Sequence, residues 1–259
     1  MDGPRLARIL IYPLKSFDAV EVASADVLPS GALANDRRWA LVDANDRFVN
    51  GKRSPLVHRI RASFDLEHER VELSCDGEVV SFRLAEDRAN LETWMSQRLE
   101  VAVRLVENRE VGFPDDLDAP GPTIISTATL AAVAAWFPGL TVNETRHRFR
   151  ANLEIDGVEP FWEDRLYGRV GEPLRFRIGG VEFFGTNPCQ RCVVPTRDSL
   201  SGDVSADFQR QFAAQRKSTL PPWAERSQFN HFYRLAVNTR SGFDSGQRQR
   251  LSIGDQISV

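Results

Sequence analysis

The residues with the greatest chemical capacity lie between Val181 and Gly202, in the stretch VEFFGTNPCQRCVVPTRDSLSG. Two of the chain's three cysteines, Cys189 and Cys192, stand three positions apart there. A thiolate is a soft metal ligand and a far better nucleophile than the thiol. Arg191, between the two cysteines, offers a positive charge to either sulfur. The stretch reads as an apolar strand, a sharp Asn187-Pro188 turn, the cysteine pair, a second apolar strand and a turn closing at Ser201-Gly202. A sulfur clamped between a proline-stiffened turn and a strand can be aimed.

A single C-x-x-C is open to several chemistries. Half of a zinc site needs two more Cys or His at finger-like spacing. The chain offers Cys75 and four scattered histidines, His58, His68, His147 and His231, none paired three to five positions apart. A thioredoxin-like dithiol opens a helix after the first strand of a βαβ unit, whereas Cys192 runs into Val193-Val194-Pro195, a strand-like run with a helix breaker. There remain a single functional thiolate that binds a soft metal or carries sulfur, with the other cysteine structural, and two ordinary core cysteines. The polar, turn-rich setting of Thr186-Asn187-Pro188 is unlike a core.

The elements that must position this centre are mostly strands. Arg5 to Tyr12 is an apolar run stopped by Pro13, which leaves Lys15 and Ser16 in a turn. Further short strands are expected near Ala19 to Leu28, Arg38 to Val42, Arg59 to Leu66, Arg70 to Cys75 and Val79 to Leu84, the last two joined by an Asp76-Gly77 hairpin. Helical spacing appears at Asn90 to Leu99, with Asn90 as the expected cap. It recurs in an alanine-rich segment capped by Ser126 or Thr127 and in Val204 to Lys217. Arg148 to Ile155, Pro173 to Ile178, His231 to Thr239 and Gln256 to Val259 read as strands. The acidic Asn108 to Pro122 segment holds three prolines and marks the boundary between two halves, residues 1–115 and 116–259. The expected class is α+β and β-rich, barrel-like, with about three helices, and no Rossmann or P-loop glycine signature is present.

Composition excludes some functions. With 33 Lys and Arg against 36 Asp and Glu, the net charge of −3 argues against general nucleic-acid binding. No apolar run is long enough to span a membrane. The N-terminus lacks a signal peptide pattern, and the low, odd cysteine count suggests a reducing, cytoplasmic location. Against this acidic background stand basic clusters at strand ends: Lys15-Ser16, Asn35-Asp36-Arg37-Arg38, Asn50-Gly51-Lys52-Arg53, and Arg146 through Asn152. Guanidinium forks suit phosphate and amide side chains suit heterocycle edges, so an anion is expected somewhere.

Taken in order, YPLKS, NDRRWALVD, RFRANLEIDG, FWEDRLYG and NPCQRCVVPTRDSLSG resemble the MOSC proteins, in particular the two-part type with a MOSC N-terminal β-barrel domain, as in the mitochondrial amidoxime-reducing component and its bacterial relatives. The resemblance covers nearly the full chain. It implies a MOSC-type β-barrel beside a smaller N-terminal one, the N-terminal strand able to pack with both, and a pyranopterin molybdenum cofactor with Cys192 as metal ligand. It further implies Lys15, Ser16 and Arg37 at the cofactor's phosphate end, Arg150 and Asn152 against the pterin, and Asp198 on the metal face as proton relay. Arg191 is added as a cofactor-side residue from its place beside Cys192. The implied activity is reduction of a small N-hydroxylated or related oxide substrate. A separate ferredoxin- or cytochrome/flavin-type reductase would supply electrons. A persulfide carrier and a cofactor-binding module without turnover are the alternatives. Asp118-Ala119-Pro120 departs from relatives that place hydroxyl residues there.

Overall fold

The computed structural model describes residues 3–242 and 249–259. Its largest unit is an eight-stranded mixed sheet in the order Ile257–Ser258, Leu174–Ile178, Val181–Gln190, Arg234–Ser241, Ile124–Ser126, Leu153–Asp156, Arg5–Ile11 and Val20–Val22. Among the described residues, the Ile124–Ser126 and Leu153–Asp156 neighbours are the one parallel pair in this sheet. The first strands of the chain therefore belong to the sheet that carries the cysteines. Ser24–Val27 also pairs with Gln249–Ser252 near the other end of the chain. Residues between these strands and Ile124 form a second unit. In it a three-stranded meander (Arg61–Asp65, Arg70–Cys75, Glu78–Arg83), the pair Trp39–Val42 with Arg104–Glu107, and helix α1 (Arg88–Leu99) enclose their own apolar core, which includes Cys75.

Three further helices, α2 (Thr127–Ala135), α3 (Val142–Phe149) and α4 (Phe208–Ser218), cover the large sheet with an aromatic layer that includes Phe149, Phe161, Phe208, Phe212 and Tyr233. Helix α2 is capped by Ser126, whose hydroxyl accepts from Thr129 N at 3.0 Å. Helix α3 is capped by Thr141, accepting from Glu144 N at 3.0 Å. None of the described helices is long and apolar enough to cross a membrane.

Several local expectations are corrected. Arg148 to Ile155 is not one strand: Arg148 and Phe149 end α3, Arg150 takes the left-handed conformation at its C-cap, and the strand begins at Leu153. The alternation of charged and apolar residues there imitates a strand, but the Thr141 cap and the Arg148–Glu144 pair one turn apart stabilise a helix. The Asn187-Pro188 step is no turn. The strand continues through it to Gln190, with register shifts on either side that let Pro188 sit without a ladder hydrogen bond. Val193-Val194-Pro195 is not a second strand but leads into a 3-10 turn at Val194–Thr196. Helix α1 starts at Arg88 after Asp87, not at Asn90, and α4 starts at Phe208, because Asp207 is left-handed and Arg197 bridges Val204 upstream.

The layer beneath α2 contains a buried acidic pair. Glu163 and Asp164 are 1% and 3% exposed. Asp164 pairs with the fully buried Arg216, and Glu163 Oε2 accepts from Thr129 Oγ1 at 3.0 Å while its Oε1 lacks a partner. Burial, reinforced by the neighbouring Asp164 charge, pushes the Glu163 carboxyl up from 4.5 to about 7. The folded chain thus keeps a proton that the unfolded chain releases, so this residue's contribution to stability falls as pH rises from about 4.5 to about 7. Glu163→Gln is expected to stabilise the fold at pH near 8 by on the order of 2–3 kcal/mol, and to give no such gain at pH near 4. Denaturant unfolding of both proteins at the two pH values checks this.

Candidate functional site

The turn after the first strand is locked onto the Asn35–Trp39 segment by backbone. Arg37 N donates to Tyr12 O at 2.7 Å, Trp39 N to Pro13 O at 3.0 Å, and Lys15 N to Trp39 O at 2.8 Å. The Asp36 carboxylate closes the clip by accepting from Tyr12 N at 2.9 Å. Gly112 lies so close to this clip that a Cβ there would stand 2.4 Å from Asp36 O. Ser16, Arg37 and Arg150 all adopt positive φ, of 78°, 49° and 53°. Non-glycine residues in that region are sparse and concentrate where surrounding structure holds them for a purpose.

These residues open onto one cavity of about 1320 Å³. Its wall carries Lys15, Ser16, Arg37, Arg150, Asn152, Arg191 and both Cys189 and Cys192. Asp198 is absent from that wall. Its Oδ1 accepts from Leu200 N and Ser201 N at 3.0 and 2.9 Å, and those backbone donors, Ser201 foremost, hold its carboxyl below the usual carboxylate range. It organises the turn after the cysteines. The turn in turn presses on the other half of the molecule: Gly202 has φ of +77°, and a Cβ on it would stand 2.7 Å from Pro55 O. Arg61 Nη1 donates to Ser199 O at 2.9 Å.

The wall is strongly cationic. Eleven Lys and Arg side chains line it against five Asp and Glu, a surplus of six positive charges in a chain whose net charge is −3. Tyr12 lies between two of the cations, with the guanidinium carbons of Arg150 and Arg37 at 4.2 and 5.4 Å from its ring centre. Burial outweighs those charges and pushes its phenol up to about 12, so it stays neutral. Arg150 Nη2 donates to Phe17 O at 2.6 Å, and burial lowers its guanidinium from the ordinary value. Asn152, 1% exposed, is fully engaged: Nδ2 donates to Leu10 O at 3.0 Å, and Oδ1 accepts from Thr123 N, Thr123 Oγ1 and Arg37 Nη1 at 3.2, 3.3 and 3.3 Å. Its side chain positions Arg37. Thr123 supplies a hydroxyl a few residues beyond the Ala119-Pro120 departure.

Lys15 Nζ is held by Asp115 Oδ1 and Phe113 O, both at 2.8 Å, and Lys52 Nζ approaches the same Asp115 oxygen at 3.3 Å. Burial lowers the Lys15 ammonium. It also opposes ionisation of Asp115, but Lys15 and Lys52 outweigh it and hold that carboxylate well below its ordinary range. Arg191 reaches back to Phe149 O and presents Nη1 to Cys189 Sγ at 3.1 Å, not to Cys192. All three cysteines are free, with Cys75 buried and the other two partly exposed.

Two family descriptions account for this arrangement. The MOSC N-terminal beta barrel domain matches residues 3–139 and the MOSC domain matches residues 123–258. The chain belongs to the MOSC family. Among curated MOSC relatives, molybdenum cofactor sulfurase of Drosophila mojavensis is 26% identical over 290 residues, covering 99% of this chain and 35% of that protein. Molybdenum cofactor sulfurase 2 of Culex quinquefasciatus is 24% identical over 264 residues, covering 85% and 33%. The chain thus spans about a third of the length of these relatives. The solved YuaD protein from Bacillus subtilis aligns over 98% of this chain and 94% of its own at a TM-score of 0.40 and 11% identity, too loose a likeness to argue from.

Some MOSC wall residues gave no sequence signal of their own. Tyr12 was legible only as part of YPLKS, and Asp115 only as part of an acidic loop. Arg197 was legible only as part of the cysteine motif, with no role of its own, and Arg234 stands in no motif. Asp115 occupies the lysine pair as an internal anion. Asp115→Asn is therefore expected to tighten binding of inorganic phosphate by about fivefold at low salt. Calorimetric titration of both proteins decides it, and weaker binding in the variant would mean that Asp115 serves to position the lysines.

Proposed function

We propose that this MOSC protein binds the molybdenum cofactor and acts as an oxidoreductase on small N-hydroxylated or related oxide substrates, with electrons from a separate reductase of ferredoxin or cytochrome/flavin type. The observation that carries the reading is one cavity wall shared by the Cys192 thiol and a six-charge cationic surplus in an acidic chain. The names of the curated relatives point to the same cofactor. A division near residue 115 into an N-terminal barrel and a MOSC domain, and a reducing, cytoplasmic setting suited to three free cysteines, belong to the same proposal.

The residues fit the group. Lys15, Lys52 and Arg37 offer donors for a phosphate, with Arg37 set by Asn152 and Asp36. Arg150, stacked on the buried Tyr12 ring, gives a planar cationic surface suited to a pterin. Among the described residues no group of three or more His, Cys, Asp or Glu is placed to hold a metal. A metal bound at Cys192 would therefore take other ligands from the cofactor's own sulfurs. When bound, the cofactor supplies a metal that exchanges an oxygen atom and an electron pair with the substrate.

The chain's own residues do the rest. The cationic wall draws in and orients anionic groups, and the two halves shield the cavity from bulk water. The imidazoles of His58 and His147 face the cavity, and burial holds both below the ordinary histidine value, so they are neutral near pH 7 and able to pass a proton. They are better placed for this than Asp198.

A second reading, a persulfide carrier, is favoured by Arg191 standing 3.1 Å from Cys189 Sγ and by relatives named as sulfurases. To separate the two, the protein is made in a host able to build the cofactor, and its molybdenum, pterin and intact mass are measured. Cys192→Ala is expected to lose bound molybdenum and at least about 100-fold in reduction of benzamidoxime with a chemical reductant, while Cys189→Ala keeps its metal. Full metal content in Cys192→Ala would sink the assignment. A stable one-sulfur adduct with no molybdenum would favour the carrier.

A further inference from the structure

Most cations on the cavity wall have a carboxylate within ion-pair distance. Among the described residues Arg150, Arg191, Arg197 and Arg234 do not, and their hydrogen bonds go to backbone carbonyls, an amide or a sulfur. The function proposed above employs Arg150 and Arg191. Arg234 has both terminal nitrogens engaged, Nη1 with Pro188 O and Nη2 with Asn230 Oδ1, each at 2.9 Å. Arg197 differs. Its buried Nε lacks an acceptor, as those of Arg191 and Arg234 also do, but where they engage both terminal nitrogens Arg197 engages only Nη1, which donates to Gly202 O at 3.0 Å, and no hydrogen bond takes up its Nη2. Nη2 is therefore the donor left for an arriving anion, and a guanidinium N–H to a carboxylate oxygen is a charge-assisted hydrogen bond.

Nearby acids are committed elsewhere. Asp18 accepts from Arg61 at 2.5 Å and from Ala62 N at 2.8 Å. Asp198 is turned to Leu200 N and Ser201 N, and Glu144 to Arg148 and Ser199. His58 is no counter-ion either: an imidazole carries no negative charge in either protonation state, and burial holds this one below the ordinary histidine value. A phosphate group on the cofactor brings about two negative charges, which leaves most of the six-charge surplus unbalanced. The position of Arg197 is also fixed relative to the cysteines. It follows Cys192 through the Val194–Thr196 turn, braced by Thr196 Oγ1 donating to Val193 O at 2.7 Å and by Gly202 against Pro55.

We propose that Arg197 is a specificity-determining residue that receives a carboxylate of the substrate, so that the natural substrate is an acidic oxide and not a neutral one. This rests on the oxidoreductase reading for the reaction, but the anion site itself stands on the geometry.

The test uses benzamidoxime and its para-carboxylate as a matched pair on the cofactor-loaded protein, together with calorimetric binding of the para-carboxylate to cofactor-free protein. Wild type is expected to favour the carboxylate probe by about tenfold or more in kcat/KM. Arg197→Gln should remove that preference through KM, and Arg197→Lys should keep part of it. Cofactor-free Arg197→Gln should bind the para-carboxylate about tenfold more weakly than wild type. No preference in wild type, or equal losses on both probes in Arg197→Gln, would overturn the proposal. If wild type reduces neither probe yet binds the carboxylate in an Arg197-dependent way, the oxidoreductase reading falls and the anion site stands. If cofactor-free wild type and variant bind alike, the site falls.

Discussion

Gathering eleven cations around one cavity costs electrostatic free energy that the fold must offset before any ligand arrives. The offsets are specific. Lys15 and Lys52 share Asp115, Arg37 pairs with Asp36, and Arg61 pairs with Asp18. The arginines without a carboxylate lean on backbone carbonyls and aromatic faces, Arg150 on Phe17 O and the Tyr12 ring, Arg191 on Phe149 O and its ring. Such partners hold a guanidinium in place without cancelling its charge. The cavity therefore keeps a standing attraction for anions, and ligand binding relieves a repulsion that is built in.

The wall is assembled from both packed units, the large sheet and the unit with its own core each lending residues to it. The first strands run in the same sheet as the cysteine strand, while the intervening segment forms a separately packed unit with its own core. The turn after Cys192 is pinned to that unit through Arg61 and through the Gly202–Pro55 approach. Ser16, Arg37 and Arg150 are held left-handed by this framework, at a cost of order 1 kcal/mol or more each. A glycine would relieve the backbone at each position but would remove a side chain from the wall. Eight other described non-glycine residues, Asp207 among them, also adopt positive φ away from the wall, so what sets these three apart is that the side chain each retains faces the cavity.

The buried Glu163–Asp164–Arg216 group is a contrasting case. It lies under the aromatic layer and is absent from the cavity wall. Its polar atoms serve packing and the α2 cap through Thr129 and Ser126. The molecule separates charge that awaits a ligand from charge that organises its interior, and the difference lies in whether open space adjoins the group.

The β-rich class and the meander hairpins were legible because alternation of apolar side chains and turn chemistry act over a few residues. So were helix α2 and, apart from their starts, α1 and α4. The ordered motifs also made the family legible, and seven of the eight residues singled out from the sequence lie on the one wall. Helix α3 was not, because its charged sequence alternates like a strand, and capping by Thr141 decides against that only once the chain is placed. The continuation of the cysteine strand through Pro188 depends on bulges that a neighbouring strand imposes. Cavity membership lay further out of reach: the displacement of Asp198 from the wall, the partnership of Asp115 with two lysines, and the unengaged Nη2 of Arg197 all depend on residues far apart in the chain. Local sequence determines which residues can carry charge, sulfur or a turn. Which of them share one low-dielectric space is decided by long-range packing, which no spacing along the chain records.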